Sequence, residues 1–150
     1  MKKILVISGP NLNLLGLREP DIYGSRDYAA LVNFTREAVE SCGMEADFYQ
    51  SNHEGCLVDK IQEAYGVYDG IIINPAAYTH TSVAIPDAIK AVGIPAVEVH
   101  LSDINAREEF RRHSFVSPAC IATICGKGFD GYKEAAEILR DHLLGKSTQD

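Results

Sequence analysis

Glu98 and His100 stand two residues apart in the apolar run AVEVHL, residues 96–101. Successive side chains of a strand point to opposite faces, so a spacing of two puts both on one face. On a buried strand such a pair needs each other or a ligand, because an unpaired buried charge is costly. An imidazole held by a carboxylate has a defined tautomer and suits general acid work. A second set lies in GPNLNLLGLREPDIYG, residues 9–24, which holds Asn11, Asn13, Arg18 and Tyr23. A free phenol titrates near ~10, so Tyr23 acts as a base only with help. An opposite charge within a few ångströms lowers a pKa by roughly 1–3 units, and Arg18, five residues earlier, is one such partner. A third set follows GIIIN, residues 70–74: Asn74, Tyr78, Thr79, His80, Thr81 and Ser82. Ser102, Arg107, Arg111, Arg112 and His113 come after the run that carries Glu98.

Tyr, Arg, His, Glu and Asn together suit proton transfer without a cofactor: a base, an acid, and donors that hold an oxyanion. The chain has no Gly-x-x-x-x-Gly-Lys-Ser/Thr loop, and its one Gly-x-Gly-x-x-Gly, GKGFDG at residues 126–131, follows the last strand rather than the first. No nucleophilic Ser elbow or Cys–His pair is evident. Each residue taken alone also has a structural role open to it. Asn11 and Asn13 can close a turn, Asn74-Pro75 is a turn dipeptide, His80 can cap a helix, and AREEFRRHS reads as a solvated face. A flavodoxin-like binding module for FMN or a phosphate is the competing reading. Against it, the loop after the first strand lacks a run of Ser, Thr and Gly amides to cradle a phosphate.

The elements that must position these residues read as follows. Apolar runs at 4–8, 45–51, 70–74, 96–101 and 120–125 are strands, the first, third and fourth buried on both faces. Helices are expected over 25–42, capped by Ser25 and stopped by Gly43, over 55–65, from near Ile85 with Pro86 in the first turn, and over 132–144. Tyr28 and Tyr65 sit at helix-core spacing. Five strand–helix alternations imply right-handed crossovers and an α/β fold, a doubly wound parallel sheet of five strands in the flavodoxin-like order 2-1-3-4-5. In such a sheet ligands bind beyond the carboxyl ends of the strands, here between strands one and three. All three polar sets fall at those ends. The connection at 9–24 is far longer than the usual two to six residues, which marks it as functional.

With 150 residues and 16.4 kDa the chain suits one domain, 1–150, with a frayed tail after about 145. A net charge of −7 argues against a nucleic-acid partner, which needs a basic surface, but not against a small anionic substrate. The apolar run after Lys2 and Lys3 is too short for a signal peptide, and no segment is long enough to span a membrane. Cys42, Cys56, Cys120 and Cys125 form no Cys-x-x-Cys and no zinc-ligand spacing with His. They read as buried free thiols in a reducing cytoplasm.

GPNLNLLGxREPxIYG, INPxAYTHTSVA and VEVHLSxIxAREEFRRHS, in that order and spacing, resemble the signature stretches of type II 3-dehydroquinate dehydratases over nearly the whole chain. The resemblance implies a flavodoxin-like fold and reversible anti elimination of water from 3-dehydroquinate to 3-dehydroshikimate through an enolate, with no metal and no cofactor. The same reaction serves the shikimate pathway to chorismate and the aromatic amino acids, and quinate breakdown. By the family pattern Tyr23 is the tyrosinate base and Arg18 activates it and helps close the loop as a lid. Asn11 holds a water at the enolate oxygen. His100 protonates the departing hydroxyl and Glu98 orients it. Asn74, His80, the Leu101 backbone, Ser102 and Arg111 hold the substrate. Asp87 resembles the residue that reaches a neighbouring subunit's site in a homododecamer of four trimers. Leu17 and Pro86 depart from the pattern, standing where a small or polar residue and a helix-continuing residue are usual.

Overall fold

The computed structural model describes residues 1–17 and 26–145. Five strands, β1 (Lys3–Ser8), β2 (Glu45–Gln50), β3 (Gly70–Asn74), β4 (Ala96–His100) and β5 (Ala122–Cys125), form one parallel sheet in the order β2-β1-β3-β4-β5. This is the order expected from the sequence. β1 and β3 run side by side with Ser8 opposite Asn74, so their polar ends finish level. The helices are α1 (Tyr28–Ser41), α2 (Glu54–Glu63), α3 (Ala84–Val92) and α4 (Asp130–Leu144).

The central strands bury both faces, and each face has its own core. Ile4, Val6, Ile72, Val97 and Val99 pack against α1 and α4 through Leu31, Val39, Tyr132, Ala136 and Leu139. Leu5, Ile7, Ile71, Ile73 and Ala96 pack against α2 and α3 through Leu57, Ile61, Ile85 and Ile89. Burying each such aliphatic side chain is worth about 1.5–3 kcal/mol. The parity of β4 follows: Val97 and Val99 enter the first core, so Glu98 and His100 face the other layer.

Several local expectations are corrected. α1 starts at Tyr28, not 25; the side chain of Asp27 accepts from Ala30 N at 2.9 Å, which makes Asp27 the cap. Ser25 lies outside the described residues, as does the tail after Gly145. Pro86 sits in the first turn of α3, as expected, and is buried, where its missing N–H costs nothing. α4 begins two residues before the expected 132, and β5 is shorter than 120–125. Tyr65 lies beyond the end of α2 and is 71% exposed, while Ala64 takes the core position. All four cysteines are free, but Cys56 is exposed because it faces outward on α2 while Leu57 and Ile61 face in; the other three are half-buried. No helix of the described residues is long and apolar enough to cross a membrane.

Candidate active site

The switch between β1 and β3 is made possible by Gly9. A Cβ there would lie 2.4 Å from the Pro75 carbonyl oxygen, and Gly9 N–H donates to the Asn74 carbonyl at 2.8 Å. The loops after the two strands therefore run in contact, and only a residue without a side chain permits it. Asn11 then adopts a left-handed conformation, φ 72°, which Asn tolerates. Its N–H donates to Asn52 Oδ1 at 2.9 Å and its carbonyl accepts from Leu14 N at 2.9 Å. With its backbone pinned, its carboxamide makes no hydrogen bond to the described residues. Asn52 Oδ1 also accepts from Gln50 Nε2, which donates in turn to the Gly9 carbonyl. Asn74 is buried and folds back on the chain, its Oδ1 accepting from Ala76 N at 3.0 Å. Ala76 itself has φ 55°.

Beyond these ends lies a cavity of about 290 Å³, lined among others by Asn11, Asn74, His80, His100, Leu101, Ser102, Arg107 and Arg111. Its size suits a small molecule. His80 stands on a short 3-10 turn (Ala76–His80), and its Nδ1–H donates to the His113 carbonyl at 2.9 Å, leaving Nε2 for the cavity. It is not a helix cap; Ser82 does that work for α3, its Oγ accepting from Ile85 N. Arg107 follows one 3-10 turn (Ile104–Ala106) and Arg111 ends another (Glu109–Arg111), rather than both lying on one helix. Arg107 donates to Ser102 Oγ at 3.4 Å and Arg111 Nε stands 3.2 Å from Glu108.

Beneath the cavity floor, Glu98 Oε2 meets His100 Nε2 at 2.5 Å. Glu98 is fully buried and His100 5% exposed. The pairing expected from their spacing is therefore met by the two side chains themselves. Burial acts to raise the Glu98 carboxyl, yet hydrogen bonds from His100, Ser114 and Thr79, with the charge of His100, outweigh it and hold the group below the usual carboxylate range. Since Nε2 is committed to Glu98, Nδ1 is the ring nitrogen left to meet a ligand.

The structure thus brings Asn11, Asn74, His80, His100, Leu101, Ser102 and Arg111 around one cavity, with Glu98 below. Asp87 does not join them; it is exposed on α3. Asn13, Tyr78, Thr81, Arg112 and His113 are not on the cavity wall, and Tyr78 instead donates to the Asn52 carbonyl. Arg18 and Tyr23 lie outside the described residues. Ser114 and Asn52 were not singled out by the sequence reading: the bonds that matter join them to residues 16 and 41 positions away, beyond any local pattern. No group of three or more His, Cys, Asp or Glu able to hold a metal occurs among the described residues.

Residues 2–140 match the family described as dehydroquinase class II. The catabolic 3-dehydroquinase of Verticillium alfalfae is 52% identical over 144 residues, covering 96% of each chain. The 3-dehydroquinate dehydratase of Caldicellulosiruptor bescii is 54% identical over 144 residues, covering 95% of this chain and 99% of its own. The crystal structure of a type II dehydroquinase from Butyrivibrio crossotus superposes with a TM-score of 0.87 at 54% identity, covering 92% and 97% of the two chains. The chain belongs to the class II dehydroquinase family, a family of hydro-lyases.

Proposed function

We propose that the protein removes water from 3-dehydroquinate to give 3-dehydroshikimate, reversibly and by anti elimination through an enolate. The observation that carries this reading is the Glu98–His100 pair set at the floor of a cavity whose walls bring Asn11, Asn74, His80, Ser102 and Arg111 together. Tyr23, as phenolate beside Arg18, takes the proton alpha to the ketone. The electron pair moves into the enolate, whose oxygen is stabilised by a water held on the free carboxamide of Asn11. Collapse of the enolate expels the hydroxyl on the neighbouring carbon, and His100 protonates it as it leaves as water. Nδ1 supplies that proton, because Nε2 is held by Glu98, and the anionic carboxylate is the partner an imidazolium needs. Arg111, among the described residues the one half-buried arginine on the cavity, meets the substrate carboxylate; Asn74, His80, Ser102 and the Leu101 backbone hold the hydroxyls.

Asp87, exposed and away from its own chain's cavity, serves a neighbouring subunit in a homododecamer of four trimers. The enzyme works in the cytoplasm, in the shikimate pathway or in quinate breakdown. Turnover is read as ultraviolet absorbance of the conjugated enone product from 3-dehydroquinate. Tyr23→Phe should abolish that signal with the fold intact; a normal rate of enone formation in that variant refutes the assignment of the base.

A further inference from the structure

The Glu98 carboxylate is met by three hydroxyls from three separate segments. Thr79 Oγ1 lies 3.0 Å from Oε2, Ser114 Oγ 2.9 Å from Oε2 and 3.1 Å from Oε1, and Thr123 Oγ1 3.3 Å from Oε1. The direction of one of these bonds is fixed by what else the hydroxyl does. Ser114 Oγ already accepts the N–H groups of Val116 at 3.2 Å and Ser117 at 3.0 Å. Both its lone pairs are used, so its proton goes to Glu98. Thr79 Oγ1 is 3.5 Å from His100 Nε2 but 3.0 Å from Glu98 Oε2, so the carboxylate is the better-placed acceptor. Thr79 therefore also gives its proton to the carboxylate. Donors converging on an acid favour its ionised form, since a protonated carboxyl would face them with a donor of its own.

Ser114 has a second consequence. On one side of it the His113 carbonyl accepts from His80 Nδ1 at 2.9 Å, and on the other Phe115 N–H donates to the Thr79 carbonyl at 2.9 Å. The residues on either side of Ser114 thus grip the turn that carries His80, while the turn that carries Arg111 ends three residues earlier. The Ser114 hydroxyl ties this segment to Glu98.

We propose that Thr79 and Ser114 are positioning residues of this enzyme: their hydroxyls hold Glu98 as an oriented anion beneath His100, and Ser114 keeps the His80 and Arg111 walls in register with that pair. This rests on the reading of His100 as the acid. Among the described residues, the other ionisable groups near Glu98 are His100 on its own strand and the thiols of Cys120 and Cys125. Burial first, then the Glu98 charge, pushes both thiols up, Cys120 to about 12, so they stay neutral.

The test uses the full-length enzyme in its native assembly, with Thr79→Val, Thr79→Ser and Ser114→Ala compared by kcat, KM and the pH profile of kcat. Failure of the unaltered enzyme to form the enone, or full activity of His100→Asn, would count against the proposed function rather than this inference. Thr79→Val keeps shape and loses the donor. It should lower kcat on the order of tenfold or more, the worth of a hydrogen bond to a charged group, and move the acid limb of the profile to higher pH, because Glu98 becomes easier to protonate. Thr79→Ser should restore both the rate and the limb. Ser114→Ala should shift the limb in the same sense and also raise KM, because the two walls lose their common anchor. If Thr79→Val fails to assemble, Ser114→Ala carries the same readout. An acid limb that stays in place in the folded variants, with kcat lowered equally at every pH or not at all, overturns the proposal.

Discussion

Replacing Gly9 with alanine tests whether contact between the loops after β1 and β3 is what places the site. The added Cβ would stand 2.4 Å from the Pro75 oxygen and 2.7 Å from its carbonyl carbon, where real Cβ contacts do not fall below 3.0 Å. Both clashing atoms are backbone, so no side chain can swing aside. One loop must retreat by at least 0.6 Å to reach 3.0 Å from the oxygen. That movement stretches the 2.8 Å bond from Gly9 N–H to the Asn74 carbonyl and shifts Asn11 away from Asn74 across the cavity. Overpacking of this kind costs about 1–3 kcal/mol, a fall in Tm of roughly 2–4 °C per kcal/mol for a chain this size. The larger effect is on rate, since a misplacement near 1 Å costs on the order of 10²-fold. The comparison is Gly43→Ala. That glycine has φ +78° with no atom within 4 Å of the added Cβ, far from the site. It should lose about 1 kcal/mol of stability from backbone strain and keep its kcat/KM. Enone formation and thermal unfolding, measured on both variants, give the answer. Equal kcat/KM in Gly9→Ala and the unaltered enzyme would refute the claim that this close approach sets the geometry.

Both side-chain bonds at Asn52 use Oδ1 as an acceptor, so Asn52→Asp should keep kcat near normal while Asn52→Ala lowers it roughly tenfold through a loosened Asn11; equal rates in the two variants would contradict this. Arg111→Ala should raise KM for 3-dehydroquinate by ten- to a hundredfold, about the worth of a charge-assisted bond to a carboxylate, whereas an unchanged KM would place the substrate carboxylate elsewhere. Glu98 in the fold lies below its ordinary value of 4.5. Its ionised form therefore contributes stability that is fully present above that value and is lost as pH falls through the lower folded value. The stability gap between the unaltered enzyme and Glu98→Gln, followed by denaturant unfolding, should be widest at neutral pH and narrow below about pH 4.5; a gap independent of pH would show that Glu98 is not held as an anion.

What was legible in the sequence follows from the range of each signal. GIIIN marks β3 to the residue because a strand buried on both faces is an unbroken apolar run. Glu98 and His100 were legible through strand parity alone. The arrangement of the ends of β1, β3 and β4 followed from the alternation of elements once the sheet order was taken as 2-1-3-4-5. Phase and caps were less secure. Tyr65 fits a helical repeat that the chain abandons at Ala64, and both Ser25 and Asp27 are chemically fit to cap α1, so propensity could not choose between them. Arg111 among four clustered basic groups was singled out only by resemblance; in the structure it lines the cavity with Arg107, whereas its neighbour Arg112 does not. The partners that decide chemistry were the least visible. A glutamate in an apolar strand announces that it needs a partner, but not how many or of what kind. His100 alone leaves open where the shared proton rests. Three hydroxyls, one of them with its proton directed by other bonds, favour an ionised carboxylate and put the shared proton on His100. Those hydroxyls come from positions 79, 114 and 123, and no periodicity links them. The site residues are therefore written in local patterns, whereas the charge state on which their roles depend is written in contacts that exist only after the sheet has formed.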